Sequence, residues 1–199
     1  MTNHPWLPYL ATEYIRRLKP QRVFQWGSGK STLFFIKLPS VGQLVSIEHD
    51  PTWYNVISSK SERRSPDWYG YKLIPSESGE IGPDKSNPAH YKSGSTELGP
   101  VNFKTYASAI DDYGLFDLIL IDGMARASCI SHAFSHVVQG GCIVIDNTDR
   151  EYYLEKIGHL FGNWESGWER IEFTGYGPIL DYQWKTLFLI NRRKGDYEG

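Results

Sequence analysis

RVFQWGSGKST, residues 22–32, decides the fold. RVFQW is a short apolar strand that runs straight into the turn Gly27-Ser28-Gly29, and LFFIKL (33–38) continues as a helix until Pro39. A strand that breaks on glycines and resumes as a helix opens a β-α-β unit, in which the helix crosses over to a parallel neighbour. That neighbour is Leu44-Val45-Ser46-Ile47, ending at Glu48-His49-Asp50. Asp50-Pro51 then reads as an N-cap with proline at the first helical position, and Trp53, Val56 and Ile57 share one face of the helix.

The same alternation extends in both directions. Upstream, Leu10, Ala11, Tyr14, Ile15 and Leu18 form an amphipathic helix that Lys19-Pro20 ends. Downstream, Tyr69 to Ile74 is a third strand, a helix lies near Thr105–Asp112, and FDLILID (116–122) is a fourth strand. Ile130, Ala133, Phe134, Val137 and Val138 predict a helix closed by Gly140-Gly141, before the strand CIVID (142–146). Thr148-Asp149-Arg150-Glu151 has the pattern of a capping box opening a helix through Leu154, Ile157 and Phe161. Residues 168–177 and 183–191 read as two antiparallel strands. The fold class expected is α/β: a doubly wound, mostly parallel seven-stranded sheet with an antiparallel C-terminal hairpin and helices on both faces. One domain spans 1–199, interrupted by a Gly/Pro/Ser-rich loop at about 75–101 that reads either as a surface insertion or as a substrate-covering lid.

The composition narrows the function classes. Apolar residues make up 40% of the 199 and charged residues 22%, an ordinary globular balance. Lysine and arginine number 21 against 23 acids, a net charge of −2, so the concentrated basic face of a duplex-binding protein is not expected. The short basic runs Arg16-Arg17, Arg63-Arg64 and Arg192-Arg193-Lys194 read as solvated surface. Cys129 and Cys142, the two cysteines, read as core thiols, which excludes disulfide scaffolds and cysteine-rich zinc modules. Prolines at 5 and 8 argue against a signal peptide, and no apolar run approaches the roughly 20 residues that span a bilayer. A soluble cytoplasmic domain is expected, with no membrane partner. His132 and His136 are spaced as zinc ligands but fall opposite Ile130, Phe134 and Val137, so they are expected on a solvated surface.

In a doubly wound sheet, ligands bind at the carboxyl ends of the strands. Glycines or polar side chains stand at four such ends: Gly27-Ser28-Gly29, Glu48-His49-Asp50, Asp122-Gly123 and Asp146-Asn147. The glycines let backbone approach a ligand at a helix start. Glu48, 19 residues after Gly29, is placed to accept both hydroxyls of a ribose. A phosphate-binding loop with its lysine at Lys30 needs glycine at 24, where Phe24 stands; a dinucleotide fingerprint needs glycine at 32, where Thr32 stands.

VFQWGSGKST, LVSIEHD, FDLILIDGMAR and GGCIVIDN, in that order and spacing, resemble the class I S-adenosylmethionine-dependent methyltransferases across nearly the whole chain. The resemblance implies a cofactor site of Gln25, Trp26, Gly27, Ser28, Gly29, Ser31, Thr32, Glu48, His49 and Asp122. Gly27, Ser28 and Gly29 would lie beside the methionine part and Glu48 on the ribose. Gln25 stands where the family often has an acid, so it supplies a hydrogen bond without charge. Asp122, Asp146 and Asn147 together resemble the metal-dependent, catechol-type O-methyltransferases, which implies three oxygen ligands for Mg²⁺; the alternatives are a cofactor role for Asp122 and a turn at 146–147. Those enzymes' lysine three residues after the first Asp is Ala125 here, and Arg126 follows. The expectation is methyl transfer to a small-molecule acceptor, oxygen ahead of nitrogen, with Asp122 and Arg126 as the catalytic pair. A non-catalytic adenosine-binding or interaction domain of the same fold is the alternative.

Overall fold

A computed structural model describes residues 5–61, 68–94, 99–162, 166–178 and 181–193; Arg63, Arg64 and Lys194 lie outside the described residues. Helix α1 (Tyr9–Leu18) leads to β1 (Arg22–Trp26), α2 (Lys30–Phe35), β2 (Gln43–Glu48), α3 (Pro51–Ser61) and β3 (Tyr69–Leu73). A small ribbon of β4 (Glu77–Ser78) and β5 (Val101–Asn102) precedes α4 (Lys104–Ala107) and β6 (Phe116–Ile121). Then come α5 (Arg126–Ala133), β7 (Val137–Asp146), β8 (Trp168–Gly175) and β9 (Trp184–Asn191).

Seven strands form one sheet in the order β3-β2-β1-β6-β7-β9-β8. The first five are parallel, while β9 runs antiparallel to both β7 and β8. The chain winds outward through β1, β2 and β3, then returns to lay β6 against the other side of β1. The order of winding therefore switches between β1 and β6, where such sheets open a crevice at their carboxyl edge. The central strands are apolar on both faces because both faces are covered. In β6, Leu118 and Leu120 pack with Ile15 of α1 and Phe35 of α2, while Ile119 and Ile121 pack with Ile130 of α5 and Phe103. Cys129 and Cys142 are buried free thiols, one in each layer.

Three local expectations fail, each for a physical reason. The helix expected through Val138 ends at Ala133, and β7 begins at Val137. Val137 pairs with Phe116, but two residues along β6 Leu118 already pairs with Cys142, so residues 138–141 bulge out of the ladder. Gly140, at φ +77°, closes that bulge and not a helix, and the β-branched pair Val137-Val138 prefers a strand. The capping box at Thr148 opens no α-helix. The Thr148 N–H extends the sheet edge by donating to the Lys185 carbonyl at 2.9 Å, and the chain beyond makes short 3₁₀ turns at Glu151–Tyr153 and Gly158–Leu160. His132 and His136 are half-buried beside Asp111, whose carboxylate lies 3.0 Å from His132 Nδ1, so they are not a solvated surface pair.

The described part of 75–101 holds the β4–β5 ribbon and a 3₁₀ turn at Pro88–His90. Its Ser93-Gly94 end reaches the carboxyl edge of the sheet, where the Ser93 hydroxyl donates to Met124 Sδ at 3.0 Å. No helix among the described residues is long and apolar enough to cross a membrane.

Candidate active site

A cavity of about 630 Å³ opens at the carboxyl ends of β1, β2 and β6. That volume falls in the range of small-molecule sites, on the order of 300–1,000 Å³. Its wall at one end is Gly27, Ser28, Glu48, His49, Asp50 and Trp53; at the other it is Asp122, Gly123, Met124 and Arg126, with Arg150, Tyr152 and Tyr153 beyond β7. The residues at the ends of β1, β2 and β6, dispersed through a hundred residues of sequence, thus line one space. Ser93 and Gly94 of the loop line it as well, which favours a covering loop over a detached insertion.

Glu48 organises the first end. It is 2% exposed, and its Oε2 accepts from the backbone N–H of Ser28 at 2.9 Å and from the Ser28 hydroxyl at 2.6 Å. Its Oε1 accepts from the backbone N–H groups of His49 (2.8 Å) and Asp50 (3.0 Å), and His49 Nδ1 lies 2.9 Å away. Burial works to raise the carboxyl's pKa, but the donors from His49, Asp50 and Ser28 outweigh it and hold it at about 2. Glu48 is therefore an anchored anion that presents the glycine turn to the cavity. The turn is pinned again by Trp53, whose indole N–H donates to the Ser28 carbonyl at 2.7 Å. Asp50 caps α3 as expected, accepting from the N–H groups of Thr52 (2.7 Å) and Trp53 (3.0 Å).

Glycine at 27 is needed for the sheet's own backbone. Its φ is +84°, and a Cβ there would stand 2.7 Å from the Asp122 carbonyl oxygen. Gly123 is confined on the same contact, since a Cβ would fall 2.0 Å from the Tyr106 hydroxyl. The two glycines let β1 and β6 end close together at the crevice.

Five residues expected at the cofactor are not among those that line the cavity. Gln25 is fully buried, and its amide donates to the Thr32 hydroxyl. Thr32 also accepts from the Gly29 N–H at 3.0 Å, so both side chains fix the start of α2 and neither reaches the cavity. Trp26 is a core residue whose indole donates to the Tyr106 carbonyl at 2.9 Å, and Ser31 is buried away from the lining. Gly29 sits one residue behind the lining, near the Trp53 indole. Lys30, the phosphate-loop lysine of the rejected alternative, lies over the Trp6 ring at 6.0 Å.

At the second end a guanidinium stands among the oxygens expected to hold Mg²⁺. Arg126 is 7% exposed. Its Nη2 donates to Asp122 Oδ1 (3.0 Å), Nε to the Gly123 carbonyl (3.0 Å), and Nη1 to Asn147 Oδ1 (3.0 Å) and to the Asp146 carbonyl. Its Cζ lies 5.0 Å from the Tyr153 ring centre. Asp146 turns inward, where Oδ1 accepts from Trp184 Nε1 (3.0 Å) and Thr186 Oγ1 (2.5 Å). Asn147, at φ +55°, makes the turn out of β7. The three side chains do not fit a divalent ion as they stand: a protein cation already bridges two of them, and the third faces the core. Among the described residues no group of three or more His, Cys, Asp or Glu is arranged to hold a metal.

The same wiring sets Asp122 apart. Burial and the nearby Asp146 carboxylate raise its pKa to about 7, outweighing the pull of Arg126 and Arg150. Asp146 is also raised, by burial first, against Arg126 and its donors Thr186 and Trp184. Asp122 Oδ1 is held by Arg126, while Oδ2 has no protein donor among the described residues.

Sequence reasoning did not single out Trp53, which it placed with Val56 and Ile57 on one face of a helix, nor Arg150, Tyr152 and Tyr153, which fall in the helix expected after Thr148. Their signal was position: Trp53 follows the second strand's end by five residues, and the other three follow the fifth strand's end.

No protein-family model matches the chain, and no curated protein matches it in sequence. Solved structures do match in shape. An O-methyltransferase from Bacillus cereus in complex with SAH superposes with a TM-score of 0.64 at 15% identity, covering 90% of this chain and 77% of that one. A putative caffeoyl-CoA O-methyltransferase from Staphylococcus aureus gives 0.57 at 11% identity, covering 94% and 86%. An rRNA methylase from Streptococcus thermophilus gives 0.58 at 9% identity, covering 93% and 96%. The chain therefore has the class I, Rossmann-like methyltransferase fold.

Proposed function

We propose that the protein is an S-adenosylmethionine-dependent methyltransferase acting on a hydroxyl of a small-molecule acceptor. The observation that carries this reading is the joining of two unlike ends in one cavity. An anchored anion, Glu48, backs a glycine turn at one end, and Asp122, near-neutral in pKa with one oxygen free, stands at the other. The likeness to methyltransferases in fold supports it.

Glu48 fits the ribose of the cofactor, and Gly27 and Ser28 its methionine part. To take ribose hydroxyls, Glu48 must release the Ser28 hydroxyl from Oε2, and Tyr71 Oη, 2.6 Å from that hydroxyl, is its ready alternative partner. When bound, the cofactor supplies an electrophilic methyl group on sulfur. The chain's part is alignment and proton handling. Asp122 Oδ2 would accept the acceptor's hydroxyl proton as that oxygen took the methyl group, the bonding pair staying with the cofactor's sulfur. Arg126 fixes Asp122 through Oδ1 and favours its anionic form against the burial and the Asp146 charge that raise its pKa. An amine that is already neutral attacks with its own lone pair, whereas a hydroxyl has to lose its proton as it attacks, so a poised carboxylate fits an oxygen acceptor. Ser93 and Gly94 help to close the cavity against water. No resident metal is needed, because Arg126 supplies the cation among these oxygens. The test is S-adenosylhomocysteine release on a mixed panel of hydroxyl and amine acceptors. Product should form with hydroxyl acceptors equally in Mg²⁺ and in EDTA, and a requirement for Mg²⁺ would refute the metal-free reading.

A further inference from the structure

Two guanidinium groups line the cavity, and they differ in one respect. Arg126 is saturated: Asp122, Gly123, Asp146 and Asn147 take its donors. Arg150 is exposed at the cavity and makes no ion pair among the described residues; its Nη1 donates to the Tyr153 hydroxyl at 3.1 Å. A cation held by phenols and left without an anion is a site prepared for one. Its surroundings add to the positive field. Lys85 lies 3.8 Å from the centre of the Tyr152 ring, and it too pairs with no acid among the described residues. Lys156, close by, is neutralised by Asp84. The Tyr153 hydroxyl responds to this field: burial would raise its pKa, but Arg126, the Tyr152 hydroxyl and Arg150 bring it below the ordinary phenol value.

Position separates Arg150 from the cofactor end. It follows β7, two strands from β1 and three from β2 in the sheet, roughly 4.8 Å per strand, so it stands across Asp122 from Glu48. Tyr152 and Tyr153 meet edge to face beside it, with ring centres 4.5 Å apart, and present an aromatic wall to the same space. Gly94 lies against this wall: a Cβ there would fall 2.6 Å from the Tyr152 hydroxyl, so the loop backbone sits close to that side chain.

We infer that the methyl acceptor is an anion, its acidic group bound by Arg150 and its body lying against Tyr152 and Tyr153. This rests on the methyl-transfer reading for the word acceptor, while the anion site itself stands on Arg150 and its neighbours. An acidic group at Arg150 leaves the rest of a small molecule directed at Asp122, where its hydroxyl would lose a proton.

Calorimetry with simple probes tests it. Benzoate, inorganic phosphate and neutral benzamide are titrated into wild-type and Arg150→Met protein, with and without saturating S-adenosylhomocysteine, whose own affinity is measured for both proteins. Wild type should bind benzoate at least tenfold more tightly than benzamide, and Arg150→Met should erase the preference while S-adenosylhomocysteine affinity stays within twofold. Comparing phosphate with benzoate tells which acidic group fits better. Equal binding of benzoate and benzamide, or of neither, overturns the inference. So does a tenfold loss of S-adenosylhomocysteine affinity in Arg150→Met, which would make Arg150 a ligand of the cofactor's carboxylate. A benzoate preference in a protein that does not bind S-adenosylhomocysteine would contradict the cofactor reading and leave the anion site standing.

Discussion

Glu48 and Asp122 occupy equivalent places, each at the carboxyl end of a parallel strand and each facing the same cavity, yet their chemistry is opposite. Glu48 is surrounded by backbone N–H groups and a hydroxyl, and stays ionised down to about pH 2. Asp122 has one guanidinium on one oxygen and a second buried carboxylate nearby, and it titrates at about 7. Residue type and strand position do not decide whether a carboxylate stays firmly ionised or titrates near neutrality. The number and kind of donors around the carboxylate do.

The largest effect expected from breaking this contrast is on turnover. Asp122→Asn should lower kcat by about 10²–10⁴-fold, the usual contribution of a positioned base, with S-adenosylhomocysteine affinity nearly unchanged. In wild type, kcat/KM should rise with pH through about 7, because the base must be ionised, and the variant should lose that limb. A flat wild-type profile across pH 6–8 would remove Asp122 from proton transfer.

Arg126→Met should come next. It strands a buried charge cluster, and such losses cost about 3–5 kcal/mol, read as a lowered urea midpoint. In whatever remains folded, the pH limb of activity should move upward, since Asp122 has lost the cation that favours its charged form. A variant as stable as wild type with an unmoved limb would show that the guanidinium does not tune Asp122.

The smallest effect concerns Glu48 and acid. Its pKa is lowered from 4.5 to about 2 on folding, so its ionised form stabilises the fold above pH 4.5, and that stability is lost as pH falls toward 2. The whole contribution is roughly 3 kcal/mol at 1.36 kcal/mol per unit. The stability difference between wild type and Glu48→Gln should be full at pH 6 and should shrink steadily below pH 4.5. A difference independent of pH would mean that the donors around Glu48 do not depend on its charge.

The sheet was legible from sequence because its central parallel strands are apolar on both faces and are followed by glycine or a polar side chain at their carboxyl ends. That Gly27, Ser28, Glu48, His49 and Asp122 would meet at one edge was legible for the same reason, and all five line the cavity. The side chains of Gln25, Trp26, Ser31 and Thr32 lie outside the cavity lining, because proximity in sequence to a glycine turn does not say which way a strand or helix side chain points. The bulge in β7 hid the strand's start, because Gly140-Gly141 closes a helix and a bulge equally well on paper. The supposed metal trio depended on where one arginine goes, and no spacing rule reports that Arg126 folds back across the ends of β6 and β7. Arg150 and its tyrosines lay in a segment with helical apolar spacing, which the structure breaks into 3₁₀ turns to bring them to the cavity.

The most direct test of the account is calorimetric titration of S-adenosylhomocysteine into wild type, Glu48→Ala and Ser28→Ala, with ATP and NAD as controls. Wild type should bind S-adenosylhomocysteine and neither control. Glu48→Ala should weaken binding by about 1–3 kcal/mol, the cost of leaving buried hydroxyls without their acceptor. Ser28→Ala should bind at least as tightly as wild type, because it removes the hydroxyl that competes for Oε2. Undiminished affinity in Glu48→Ala, or no binding to wild type, would contradict the assignment of this cavity to the cofactor.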